Sequence, residues 1–193
     1  FCSAPKVDVP AQAEDVHYRL CSISFDKDTE TFGNQVDTLI NAVALGKSVT
    51  FPRPSYDGRW LLYSYADFGC FPINHKEADL WLMDLQDGST HPLERANSSY
   101  CESFHNWSSD SHWILFASRR GDSLYSRIYI AQIDEEGNAS KPFLLPQKDP
   151  AFYHKTLFTF NVPDFTKEKV DFKTRGTYEE AFSDERVKVT VKQ

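Results

Sequence analysis

Four cysteines are present, yet no two stand in a C-x-x-C pair and no histidine pair accompanies them, which argues against a zinc centre. Positive charge is also short. With 21 Lys and Arg against 28 Asp and Glu the chain carries −7, and no basic stripe interrupts it, so no nucleic-acid partner is expected. No run of 18 apolar residues occurs, so no segment reads as a membrane span. HExxH, GxSxG, a phosphate-cradling Gly loop and a dinucleotide fingerprint are all missing, and no cofactor is expected. Paired carboxylates converging from distant positions would leave no such trace. Helical pattern is scarce too: only residues 39–46 (LINAVALG) look helical, too short a run to cover a sheet.

What is there is a repeat. PSYDGRWLLYS, residues 54–64, returns as WSSDSHWILFA, residues 107–117, with Asp57 and Asp110 53 positions apart, Trp60 over Trp113 and Tyr63 over Phe116. A second apolar run follows each copy, LWLMDL at 80–85 and IYIAQI at 128–133, then a turn and a short strand. Periods of roughly 40 to 50 residues with several strands per unit are the mark of propeller blades. Within each unit the polar run before the aromatic-aliphatic run reads as a tight turn, with Gly58 supplying positive φ and Asp57 bonding its own backbone. The apolar runs alternate poorly, as strands covered on both faces do.

These residues resemble a known family. Ser-x-Asp-Gly-Arg-aromatic-Leu-Leu followed by Asp-Leu-Trp-Leu-Met-Asp-Leu at 79–85 is similar to the TolB-like, WD-repeat-like β-propellers, and more narrowly to exported proteins of Bacteroides-type bacteria. The resemblance covers residues 16–146. Tyr56 stands where the family has Pro, and Ser111 and His112 stand where Gly and Arg are expected. The resemblance implies an all-β fold, a partial propeller of four-stranded antiparallel blades. It further implies a non-catalytic binding or scaffolding module in the cell envelope, periplasmic or at the cell surface. The alternative is the propeller part of a hydrolase, gating a peptidase or holding a saccharide in its mouth.

The expected partition is a partial propeller over 1–146, with a half blade at 16–40 and blades at 48–93 and 104–146, and a tail at 147–193. Strands are expected at 18–25, 36–40, 48–53, 60–65, 80–85, 90–93, 104–107, 113–118, 127–133 and 143–145. The tail reads as irregular, ending in the period-two run VKVTVK at 187–192 as a strand. At roughly 45 residues per blade the chain is short for a closed ring, and with its start at Phe1 it reads as the C-terminal piece of a larger protein. An open array exposes one blade face at each end. The tail from Pro150 onward, or a second copy through the open blade edge, is the expected cover.

Links in an antiparallel blade alternate between its two ends. Links 67–77, 96–105 and 119–123 therefore share one rim, which gathers His75, Glu102, His105, Arg119 and Arg120 as candidate ligand- or partner-binding residues. The competing reading has Glu102 and His105 bonding loop backbone. The ligand class, protein, small molecule or saccharide, is not specified by these residues. Cys70 and Cys101 lie on the same rim, and a bridge between them is expected, the alternative being four free thiols. Gly121-Asp122-Ser123-Leu124 spells the nucleophile block of GDSL-type hydrolases. A strand follows it, however, and no Asp-x-x-His occurs, so ordinary turn chemistry accounts for it. The overlapping Arg-Gly-Asp-Ser is read in the same way.

Overall fold

The computed structural model describes residues 1–8, 11–170 and 174–183. Three antiparallel sheets follow one another along the chain. The first holds β1 (Cys2–Ser3), β2 (Arg19–Asp26) and β3 (Thr31–Ile40); the second holds β4 (Ser48–Pro54), β5 (Trp60–Ala66), β6 (Asp79–Asp84) and β7 (Thr90–Pro92). The third holds β8 (Glu102–Trp107), β9 (Trp113–Ser118), β10 (Arg127–Gln132) and β11 (Phe143–Leu144). Each four-stranded sheet is a meander in sequence order. The fold is a partial β-propeller of two complete blades preceded by part of a third.

Alternation along the strands decides which sheet touches which. In β5 and β6, Trp60, Leu62, Leu80 and Leu82 join Trp107, Ile114, Phe116 and Tyr129 of the next blade in one buried cluster. Leu61, Tyr63 and Met83 turn the other way and pack on Leu20, Ala42 and Val49. Both faces of the first complete blade are thus buried, which is why its strands read as continuous apolar runs. The inner strand of each blade is tied to the sheet before it. Val49 N–H donates to Tyr18 O just ahead of β2 (3.0 Å), and Glu102 N–H donates to Ala78 O just ahead of β6 (2.8 Å).

The repeated turn keeps its hydrogen bonds in both copies. Ser55 Oγ donates to the Asp57 carboxylate and accepts from Trp60 N–H; Ser108 Oγ does the same with Asp110 and Trp113. The serine hydroxyl is the first cause holding each of these aspartates below its usual pKa. Ser111 takes the place of Gly58 without changing the turn: their φ values are 61° and 75°.

The opening segment reads from the sequence as a linker or as a blade strand, and β1 gives it a strand, paired with β2. Residues 39–46 give a 3₁₀ turn at Ala42–Leu45, closed by Gly46 in the left-handed conformation. The tail is not wholly irregular: it carries α1 (Phe152–Lys155) and α2 (Thr174–Ala181). The strand expected at 187–192 lies outside the described residues.

Between these helices the tail crosses the outer face of the second complete blade. Phe160 and Phe165 pack on Leu115, Ala117 and Ile128. The buried Arg127 guanidinium donates to the carbonyls of Phe158 and Tyr153 (2.5 and 3.3 Å), and Asn106 Nδ2 donates to Asp164 (2.8 Å). The expected cover is therefore the tail. At the other end β3 is exposed along nearly its whole length, with Phe25 and Phe32 in contact at its hairpin tip, 5.0 Å between ring centroids.

Candidate functional site

Pleat and strand direction bring the links after β5, before β8 and after β9 to one rim. Together they line a cavity of about 210 Å³ formed by Ile73, Asn74, Lys76, Tyr100, Cys101, Arg119 and Ser123. Its floor is apolar, because Cys101 is buried with Ala66, Ile73 and Ala78. Burial raises the Cys101 thiol pKa, the Arg119 charge and backbone N–H pulling the other way. The Lys76 ammonium stands 5.1 Å from the Tyr100 ring centroid.

The five candidate residues divide. Glu102 and Arg120 are joined: Glu102, with no exposed surface, accepts from Ser98 Oγ (2.7 Å), Ser98 N–H (3.0 Å), Ser118 Oγ (2.8 Å) and Arg120 Nη2 (2.8 Å). Arg120 also donates to Ala96 O and lies 4.8 Å from the Tyr129 ring centroid. Each partner is fully engaged, so this pair is a clasp within the fold and not an open binding site. His105 is buried deeper, in the seam between blades. Its Nε2 lies 2.7 Å from Phe51 O and 3.2 Å from Leu62 O; both are acceptors, so Nε2 carries the proton. Nδ1 is buried without a partner. Desolvation pushes the His105 pKa down to about 4, and the ring is neutral at physiological pH. His75 pairs with Glu77 (3.2 Å) and meets Phe68 edge-on. Of the five, Arg119 alone lines the cavity.

The bridge expected between Cys70 and Cys101 is not formed; all four cysteines are free thiols. Both residues are on rim links, but their side chains diverge. Cys101 turns inward and its thiol donates to Ile73 O (3.6 Å), whereas Cys70 lies beside Tyr18 and Cys2, where Gly69 N–H donates to Val16 O (2.6 Å).

Sequence reasoning missed Lys76, Tyr100 and Asp79. Asp79 lines an adjoining cavity of about 380 Å³ with Lys76, Glu77, Ser98 and Ser99. Burial, then the charges of Glu102 and Glu77, raises its pKa to about 6. A larger cavity of about 560 Å³ lies beside the Gly137 turn, lined among others by His91, Glu94, Arg95, Asp134 and Glu136. Its Asp134 is committed to its own turn through Glu136 N–H (3.1 Å) and Asn138 N–H (2.7 Å), and its charges are of both signs. The rim cavity is the better candidate on chemical grounds: no carboxylate lines it, and among the described residues neither of its cations, Lys76 and Arg119, is in an ion pair.

No family model matches the chain, and no curated protein does. Solved structures do resemble it in part. The β-propeller domain of the Trilobed protease from Pyrococcus furiosus is 18% identical with a TM-score of 0.39, matched over 68% of this chain and 36% of that one. TolB from Acinetobacter baumannii is 18% identical with a TM-score of 0.40, over 68% and 27%. Acylaminoacyl peptidase from Pyrococcus horikoshii is 17% identical with a TM-score of 0.36, over 68% and 23%. This chain therefore spans well under two thirds of any of them.

Proposed function

We propose that the chain is a binding or scaffolding module of a TolB-like propeller, working without catalysis in the periplasm or at the surface of a bacterial cell. The observation that carries this reading is the convergence of three links from two blades on one cavity that holds Lys76 and Arg119. The neighbouring polar groups, Glu102 and Arg120, are already satisfied. A preformed concave site with a few convergent polar groups on a rigid scaffold is the usual form of a binding site. Self-association belongs to the same proposal, through the exposed β3 edge with Phe32 at 69% and Val36 at 53% exposure. The rival hydrolase reading draws on Ser123, which lines the same cavity, but a base would have to come from outside the seven lining residues.

Amide-resolved NMR titration of the chain with peptide, saccharide and small-anion probes tests this. Saturable shifts at residues 73–76, 100–101 and 119–123, with every probe recovered intact, are the expected result. Turnover of an ester, peptide or glycoside that is lost in Ser123→Ala would overturn it.

A further inference from the structure

We infer that the rim cavity receives the carboxylate that ends a peptide chain. This rests on reading the rim as a binding site and adds what it binds.

Arg119 and Lys76 both line the cavity, and among the described residues neither makes an ion pair. A carboxylate supplies two coplanar oxygens matched to a guanidinium edge. Most acids nearby are already engaged: Glu102 is held by Arg120, Ser98 and Ser118, Asp122 pairs with Arg127 at 3.7 Å, and Glu77 is met by His75 Nδ1 and Asp67 N–H, while Asp79 lines the adjoining cavity, which Lys76 shares. In a chain of net charge −7, a cavity with two cations and no lining carboxylate is a local inversion of the field.

Size and lining narrow the ligand. At about 210 Å³ the cavity is below the roughly 300 to 1,000 Å³ that holds a whole small-molecule ligand, so it takes an end group. A bare phosphate would use Lys76 and Arg119 and leave the apolar wall of Ile73, Tyr100 and Cys101 idle. A chain end uses all of it: the carboxylate on the two cations, the last side chain on that wall, and the last amide beside the polar residues Asn74 and Ser123, which line the same space.

The test is an NMR titration of the full chain with N-acetyl-Ala-Leu-Phe as the free acid, set against the same peptide as its C-terminal amide, inorganic phosphate and acetate. The expected result is saturable shifts at 73–76, 100–101 and 119–123 with the free acid, and affinity weaker by about tenfold or more for the amide, a loss typical of removing a charge-assisted pair. Arg119→Gln gives a similar loss. Lys76→Gln, an exposed position whose change leaves the fold intact, gives a smaller one and is the control should Arg119→Gln unfold. Equal binding of acid and amide at the rim overturns the carboxylate assignment while the binding-module reading stands. Phosphate or acetate binding as tightly as the peptide overturns the peptide end in favour of a simple anion site. No rim shift with any probe overturns both, and cleavage of the peptide overturns the non-catalytic reading alone.

Discussion

The two complete blades are built on one pattern, and the place where they differ most is the start of the inner strand. Val49 opposes Tyr65 in the first; at the equivalent position of the second, Glu102 opposes Ser118. One joint is apolar and packs on the preceding sheet. The other is ionic, with Glu102 clasped by Arg120 beneath the rim. Shared strand geometry leaves the chemistry of the joint free to vary, and the second blade, which shares the lining of the candidate site with the first, carries the charged version. Satisfying a buried carboxylate from four directions fixes the link at 96–101 in place, which holds Tyr100 and Cys101 against the cavity.

The largest effect is expected from breaking that clasp. Glu102→Gln removes the charge that faces Arg120 and turns one of the two acceptor oxygens into an NH2 group set among donors, and should lower stability by about 3–5 kcal/mol, against about 2 kcal/mol for Val49→Ala. Urea unfolding of both variants measures the contrast. Glu102→Val combined with Arg120→Leu should recover at least half the loss, since an apolar replacement of a buried pair is often neutral. A double variant no more stable than Glu102→Gln would show that charge is not what distinguishes the joints.

Acid titration separates the blades next, because His105 of the second corresponds to Pro52 of the first. Its folded pKa, about 4, lies below the 6.5 of an unperturbed histidine, so the unfolded chain binds more protons between these values. Stability is therefore full above about pH 6.5 and falls toward pH 4, by on the order of 3 kcal/mol. Asp79 acts the other way. With its folded pKa raised to about 6, its contribution is present below the ordinary carboxylate pKa and is lost as pH rises through 6. The difference in melting temperature between the native chain and His105→Gln isolates the histidine, and a difference that stays flat from pH 4 to 6.5 would refute its role in the seam.

A smaller loss, about 1–2 kcal/mol for a partly buried ring, is expected from Phe160→Ala, with faster amide exchange at Leu115 and Ile128. Unchanged exchange there would mean that the tail does not protect the second blade. The smallest effects concern the twin turns. Gly58→Ser forces a side chain into positive φ and should cost about 1 kcal/mol. Ser111→Gly relieves that strain but gives up the bond from Asp57 N–H (3.0 Å), for a net change within about 0.5 kcal/mol. Thermal denaturation of the pair checks both, and equal losses would erase the asymmetry.

The blades were legible because a repeat with a fixed turn and two-faced apolar strands leaves few alternatives, and Asp57 and Asp110 announced their turns directly. The rim could be reached from link alternation alone. What could not be read was direction within a link. A bulge falls between Ser103 and Asn106, with Phe104 at φ 46°, and it turns His105 into the seam; period-two counting has no sign of such a bulge. Its twin at Phe51, φ 53°, frees the carbonyl that His105 satisfies. Cys101 was placed on the right rim but faces inward, where it packs as a small apolar group. Lys76 and Tyr100 carry no motif, and only the convergence of separate links gives them meaning.

The tail strap over the second blade gives the array a polarity. Phe160 and Phe165 occupy the outer apolar face at that end, while at the other end β3 keeps its exposed edge. Among the described residues no strand pairs with the outer edge of β3, whereas any sheet docking on β9 and β10 must first evict a segment held by Arg127 and Asn106. On the proposal of self-association, that strapped face opens only when the segment held by Arg127 and Asn106 lifts, so its availability is set within the chain and not by the concentration of an incoming one.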